Sequence, residues 1–489
     1  MKNIKLILLA FVALLSITAC DEFGDDFDNV NPDVADNVDN NPELILTGLI
    51  REPINSMVGN AWSEGNLMAQ YGARIVFTSF DQFEWGSQEG TWDRLYLTIR
   101  DARTLNEIAT NIDNASYQAV SMIMEAWATQ ILTDLWGDVP YSEASFGKLD
   151  GNFTPTYDEQ ELIYTAILDS LSKANDLLNS TEVPVNGDIM FDGDLAKWQK
   201  FGNSLRLRVA LRLSNVKPEV SEAVIAQVFN NQDVNPIIST NEDNAALTYL
   251  TSLPNVKPVT EAGGYRSGSF NEYRMSETLE SVLVTYDDPR LQTWFNPTAN
   301  SVEQGAPDWS GMKNGIVDGD AYTYKGGDAY LSKFADMFYF EPNAVQGLLM
   351  KYDEVQFILA EAALNGWIAG DAQAFYEEAI TSSFEYWDTE IPTDYLTQDG
   401  VAYDGELETI ITQKWISLLY TDYQGFLEFK RTSFPSVIVP GPDAFYSSYP
   451  SRFEYPTPER SLNASNYQEA VQRQGIDESR FVMAKVWWE

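Results

Sequence analysis

The chain carries 73 aspartates and glutamates, no histidine and one cysteine, which leaves few ways for it to make or break bonds. Histidine triads, histidine-bound zinc and imidazole general bases are excluded outright. A carboxylate pair of the kind that cleaves glycosidic bonds is the main catalytic arrangement left open. A second pattern carries binding chemistry instead. Sugar rings present apolar C–H faces that stack on aromatic rings, and hydroxyls that need Asp, Asn or Gln beside them. Two stretches combine these residue types outside any helical period. Ser79 to Gln88 holds Asp81, Gln82, Phe83 and Trp85. The other holds Trp309, Tyr322, Tyr324 and Tyr330 among Asp308, Ser310, Asn314, Asp318 and Asp320, with glycines such as Gly305, Gly315, Gly326 and Gly327 that permit tight turns. Trp85 leads the candidates, and its ring is expected to be partly exposed. Trp92, Trp127, Trp198, Trp415 and Phe375 continue apolar helix faces and are assigned to the core, and Trp294 is expected to pack as well. Asp318-Gly319-Asp320 forms no organised calcium loop, and neither a metal nor an organic cofactor is expected.

Cys20 has a different chemistry. Lys2 and Lys5 precede an apolar run from Leu6 to Leu15, and Ile17-Thr18-Ala19 leads into the cysteine. Residues 1–19 therefore read as a lipoprotein signal peptide and Cys20 as the lipid-anchored first residue of the mature chain. The run is too short to span a bilayer, and with the thiol lipidated no disulfide is available. Residues 20–40 open with Asp21-Glu22-Phe23-Gly24-Asp25-Asp26 and read as an acidic flexible tether, with little to bury. Loss of residues 1–19 removes two lysines and no acid, taking the formal charge from −42 to −44. Such a field repels nucleic acid and polyanionic polysaccharide and favours an uncharged or cationic partner.

The elements that must position these residues are helices. Leu46, Ile50, Ile54, Met57 and Val58 recur on one face after Asn41-Pro42. Trp92 to Leu105 and Val120 to Leu135 repeat the pattern, the latter closed by Gly137 and Pro140. Thr156-Tyr157-Asp158-Glu159 has the form of a capping box. A further helix starts at Asp194. From about residue 230 to 350 the texture turns to Gly, Asn, Asp, Pro and aromatics, with one helix near Met275 to Tyr286. Helical spacing returns from Val355, and again after Gly370-Asp371 in a loose tetratricopeptide-like pair. The expected fold is mainly α: one domain over 41–489, with tetratricopeptide-like helical pairs supporting a long loop-rich insertion.

Four blocks, in order, carry a family likeness: Leu132-Thr133-Asp134-Leu135-Trp136-Gly137-Asp138-Val139-Pro140-Tyr141; Met350-Lys351-Tyr352-Asp353-Glu354-Val355 with Ala360-Glu361-Ala362-Ala363; Gln413-Lys414-Trp415-Ile416; and Arg452-Phe453-Glu454-Tyr455-Pro456 with Asn463, Asn466 and Tyr467. Behind a lipidated leader they make the chain resemble the SusD/RagB family of Bacteroidetes nutrient-binding lipoproteins over nearly its whole length. The blocks themselves read as fold determinants. The resemblance implies a non-catalytic glycan-binding protein on the outer-membrane surface, facing outward and seated on a SusC-like TonB-dependent transporter. The expected cargo is a neutral oligo- or polysaccharide, such as an algal or plant glucan. Two other classes compete: a surface glycoside hydrolase, which would release reducing sugar, and a helical-repeat interaction scaffold, which would show no saturable carbohydrate binding.

Overall fold

The computed structural model describes residues 41–147, 151–253 and 255–489. Helix α1 (Pro42–Asn60) opens with proline in its first turn, where a missing N–H costs nothing. It runs through a π-helical turn and a last short turn to strand β1 (Gly72–Arg74). Helices α2 (Glu89–Asn111) and α3 (Ala115–Trp136) follow, and α3 stops at Gly137 with φ +76°. Strands β2 (Val139–Pro140) and β3 (Tyr157–Asp158) pair antiparallel and lead to α4 (Gln160–Asn179), α5 (Leu195–Arg212) and α6 (Pro218–Asn230). Each helix from α1 to α6 packs on the next, so successive apolar faces close one continuous core, as stacked hairpins require.

The capping box expected at Thr156 to Glu159 is not formed. Tyr157 and Asp158 lie in β3, and the Asp158 carboxylate accepts the backbone N–H groups of Tyr141 and Ser142 (2.9 and 2.8 Å). The orphan N–H of Gln160 is satisfied instead by Asp138 across the hairpin (2.9 Å). Helix α5 starts at Asp194 as expected, and the Asp194 side chain caps it by accepting from the N–H groups of Ala196 and Lys197.

The loop-rich insertion is held at its root by β4 (Ala245–Leu247) against β6 (Gly347–Met350). Within it, β5 (Tyr273–Met275) pairs with β1, and α7 (Glu277–Thr285) follows immediately, capped by Ser276. The helical body resumes with α8 (Tyr352–Leu364), α9 (Ala372–Tyr386), α10 (Leu407–Ser417), α11 (Gln424–Thr432) and α12 (Ala464–Arg473). Helix α8 packs on α9, α10 and back onto α5.

Residues of the four sequence blocks take part in buried ion pairs and hydrogen bonds between elements. Arg208 of α5 forks onto Glu354 of α8 with two 2.6 Å bonds. Glu428 of α11 receives Arg212 (2.9 Å), Lys414 (2.8 Å) and Arg431 (2.9 Å), and these cations hold its carboxyl well below the usual range against the cost of burial. Lys351 bonds Asp353 (2.6 Å) and the Ser417 carbonyl (2.7 Å), while Arg452 donates to the Trp136 carbonyl at the end of α3. Buried pairs of this geometry are costly to break one partner at a time, so they fix which helices neighbour which.

Candidate functional site

The segment Ser79 to Gln88 does not present its aromatics to solvent. Trp85 is 2% exposed, enclosed by Phe80, Phe83, Phe426, Tyr449 and Phe453 with ring centroids 5.3 to 6.3 Å away. Phe83 is buried too, 4.7 Å from Tyr449. The expected exposure of Trp85 is therefore corrected. Positive φ at Phe83 (+75°) and Gly86 (+64°) turns the chain inward, and the walls of the cavity come from residues more than 300 positions later. Asp81 and Gln82 are likewise internal. Asp81 Oδ2 accepts the Arg74 N–H (2.8 Å), and burial pushes its carboxyl up to about 7. Gln82 Nε2 donates to the Asp443 carbonyl (3.1 Å).

The insertion residues divide. Trp309 is half-buried, its indole N–H donating to the Phe295 carbonyl (2.8 Å). Tyr324 is also half-buried over a satellite cluster of Ala73, Ile75, Met312, Ile316, Ala321 and Leu331. Its hydroxyl donates to Glu277 (2.7 Å), which with burial raises its pKa. Tyr322 and Tyr330 are exposed, at 64% and 43%. Trp92, Trp127, Trp198, Trp294 and Trp415 are buried as expected, and Phe375 is half-buried against the core.

Tyr322 stands at one corner of a surface where three loops meet. Asp318, one turn before it in a short helix (Asp318–Thr323), accepts the N–H (2.7 Å) and hydroxyl (3.0 Å) of Thr78. Asp443 accepts the Val317 N–H (3.2 Å), and the Phe445 N–H donates to the Gln82 carbonyl (3.0 Å). Where the second and third loops cross, Gly315 and Gly441 touch backbone to backbone. A Cβ on Gly441 would lie 2.2 Å from the Asn314 carbonyl oxygen, so no larger residue fits without moving a loop. Each loop carries a large exposed ring: Phe77 at 60%, Tyr322 at 64% and Phe445 at 58%. The Arg74 guanidinium, itself mostly buried, lies 5.7 Å from the Phe77 ring centroid and pairs with Glu272 (2.5 Å). Exposed rings beside fixed carboxylates and a guanidinium are the combination that carbohydrate stacking requires.

Neither Phe77 nor Phe445 was among the sequence candidates. Phe77 sits in the apolar run Ile75-Val76-Phe77, which reads as core. Phe445 lies in Gly441-Pro442-Asp443-Ala444-Phe445-Tyr446-Ser447-Ser448-Tyr449-Pro450, which has the same turn-rich aromatic texture as the two stretches that were chosen. Among the described residues no group of three Asp, Glu or Cys side chains converges as a metal site, and no helix is long and apolar enough to cross a membrane. Cys20 lies outside the described residues.

A family model described as starch-binding and associating with the outer membrane, SusD-like, matches residues 37–456, and the chain belongs to this family. No curated protein sequence matches it. Three solved structures share the fold. An outer membrane protein of Bacteroides vulgatus, titled for nutrient binding, is 27% identical with a TM-score of 0.79, over 91% of this chain and 99% of that one. A chitin-binding protein is 27% identical with a TM-score of 0.78, over 92% and 99%. A SusD homologue of Bacteroides fragilis is 27% identical with a TM-score of 0.74, over 91% and 98%. The helical pairs and the loop-rich insertion expected from the sequence are the SusD fold, and the family is one of starch-binding proteins associated with the outer membrane.

Proposed function

We propose that this protein is a lipid-anchored glycan receptor on the outer face of the outer membrane, binding an uncharged oligo- or polysaccharide on the three-loop surface and passing it to a SusC-like TonB-dependent transporter. The observation that carries the reading is the set of exposed rings, Phe77, Tyr322 and Phe445, each on a loop hydrogen-bonded to another. Monomeric surfaces seldom leave large rings exposed together without a ligand to cover them. The formal charge of −42 supports an uncharged chain over alginate or a sulfated polymer. β-Glucans and chitin oligosaccharides are the first candidates, the latter because a chitin-binding protein shares the fold at 27% identity. Cys20 is the proposed anchor, and residues 20–40 the tether from it to α1.

Calorimetry of the mature protein against β-glucan, chitin and alginate oligosaccharides tests this reading. Saturable binding of an uncharged oligomer, lost when Phe77, Tyr322 and Phe445 are all replaced by alanine, is expected, without release of reducing sugar. Tight binding of alginate alone, or turnover of the bound sugar, overturns it.

A further inference from the structure

Resting on that reading, we infer that the glycan site has a second part, a cleft on the far side of the Gly315–Gly441 crossing, which lets the protein grip a longer chain than the aromatic surface alone would hold. The cleft has a volume of about 440 Å³, within the roughly 300–1,000 Å³ typical of small-molecule sites. Its two walls differ. One presents Thr278 and Ser281 of α7 with Lys313, and the other presents Val439, Pro440 and Pro442. A pyranose has the matching asymmetry, with hydroxyls around its rim and C–H groups on its faces.

The cleft is braced from below. Gln70, 2% exposed and at φ +54°, receives the Thr278 hydroxyl (2.7 Å) and donates to the Val439 carbonyl (2.7 Å), so one buried amide sets the distance between the walls. The Thr278 and Ser281 hydroxyls donate to Gln70 and to the Thr278 carbonyl, which leaves their oxygens able to accept from a ligand. The charges nearby balance. Lys313 lies 4.0 Å from Glu277, and Lys325 lies 3.0 Å from Glu277 and 3.6 Å from Glu280, so the cleft suits an uncharged sugar better than an acidic one.

Position joins the cleft to the aromatic surface. Asn314 and Gly441 line the cleft, while Val317, Asp318, Asp443 and Phe445, a few residues on in the same two loops, build the aromatic surface. The β1–β5 ribbon runs between them. Phe77 lies three residues beyond its Arg74 end, and Gln70 and Glu277 lie two residues beyond its Gly72 end, the paired strands themselves spanning two steps or roughly 7 Å. A chain long enough to pass the glycine crossing touches both.

The test compares β-glucan and chitin oligomers of increasing length on the full-length mature protein, with Ser281→Trp to fill the cleft and Val439→Asp to spoil its apolar wall. Both positions are exposed, and thermal melting confirms that each variant is folded. Affinity should rise with oligomer length in the unaltered protein. Both variants should remove that gain, about ten-fold for the longest oligomers, while the shortest bind as before. If both variants bind every length like the unaltered protein, and Tyr322→Ala with Phe445→Ala still abolishes binding, the cleft is no subsite and the receptor reading stands. If no oligomer of either kind binds the unaltered protein, the reading and the cleft fall together.

Discussion

Ser79 to Gln88 and the insertion stretch around Trp309 to Tyr330 have the same ingredients, aromatic rings among Asp, Ser, Gln and glycine, yet they meet opposite fates. The first folds inward and gives Trp85 and Phe83 to the core, while the second leaves Tyr322 and Tyr330 in solvent. Local composition does not separate them. What separates them is company: Phe426, Tyr449 and Phe453 arrive from the C-terminal third to close over Trp85, whereas Tyr322 and Tyr330 flank a small cluster, shared with Ala73 and Ile75, that does not enclose them. A turn-rich aromatic stretch is a binding surface only where no distant segment covers it.

Trp85 marks the largest difference between the two stretches. Trp85→Ala should remove about 3 to 5 kcal/mol of stability by opening a cavity in the core, as Trp127→Ala should. Glycan affinity per folded molecule should hardly change. A variant that melts normally but binds weakly would return Trp85 to the site and invert the assignment of the two stretches. Thermal melting with calorimetry on the same samples separates these outcomes.

The two stretches also differ in acid–base behaviour, because the inward-folding one buries the Asp81 carboxylate and the insertion exposes Asp318 and Asp320. Burial pushes Asp81 up to about 7, from an ordinary value of 3.8, and it also pushes Asp422 and Glu64 up to about 7. An acid that keeps its proton in the folded state up to about pH 7, and loses it near pH 4 when unfolded, contributes stability that falls as pH rises across that window. The protein should therefore be more stable near pH 5 than near pH 8. Asp81→Asn should flatten its share of the slope, about 2 to 3 kcal/mol once water admitted by ionisation is allowed for. A pH–stability curve that rises from 5 to 8, or that is unaltered by Asp81→Asn, would contradict the buried placement.

How much was legible follows the same division. The helix starts at Asp194 and after Asp371, the stop at Gly137 and the core tryptophans of α2, α3, α5 and α10 could be read because helices write their burial in local spacing. The capping box at Thr156 misled because Asp158 had a better offer from the Tyr141 and Ser142 amides, seventeen and sixteen residues back. The three paired strand ribbons were unseen, being two to four residues long and set by partners far away in sequence. Of the candidate site, Tyr322 was among the residues the sequence offered and is exposed, and Phe445 has the same turn-rich setting. Phe77 could not, since its neighbours Ile75 and Val76 make it look like part of a core strand.

The glycine crossing tests whether the loops act together. Gly441→Ala places a methyl 2.2 Å from the Asn314 oxygen, and backbone must move to admit it. About 1 to 3 kcal/mol of overpacking strain is expected, together with weaker glycan binding, because the displaced loops carry Tyr322 and Phe445. Unchanged affinity would mean that the rings bind independently of one another.

The smallest effects are the most specific. Tyr322→Ala and Phe77→Ala each remove one exposed ring and no core contact of consequence, so the melting temperature should stay within the scatter of ordinary surface substitutions, about 0.5 kcal/mol. Each should nevertheless weaken glycan binding by about 1 to 2 kcal/mol, roughly five- to thirty-fold, the usual worth of a stacked ring. Trp309→Phe is the control on the same insertion. It keeps an aromatic ring but loses the pyrrole part of the indole and its N–H bond to the Phe295 carbonyl, so it should lower stability modestly and leave affinity alone. The opposite pattern, with Trp309→Phe weakening binding and Tyr322→Ala leaving it intact, would move the site off the three-loop surface and toward the half-buried side of the insertion. Exposure would then no longer be what distinguishes a binding ring from a packing one in this protein.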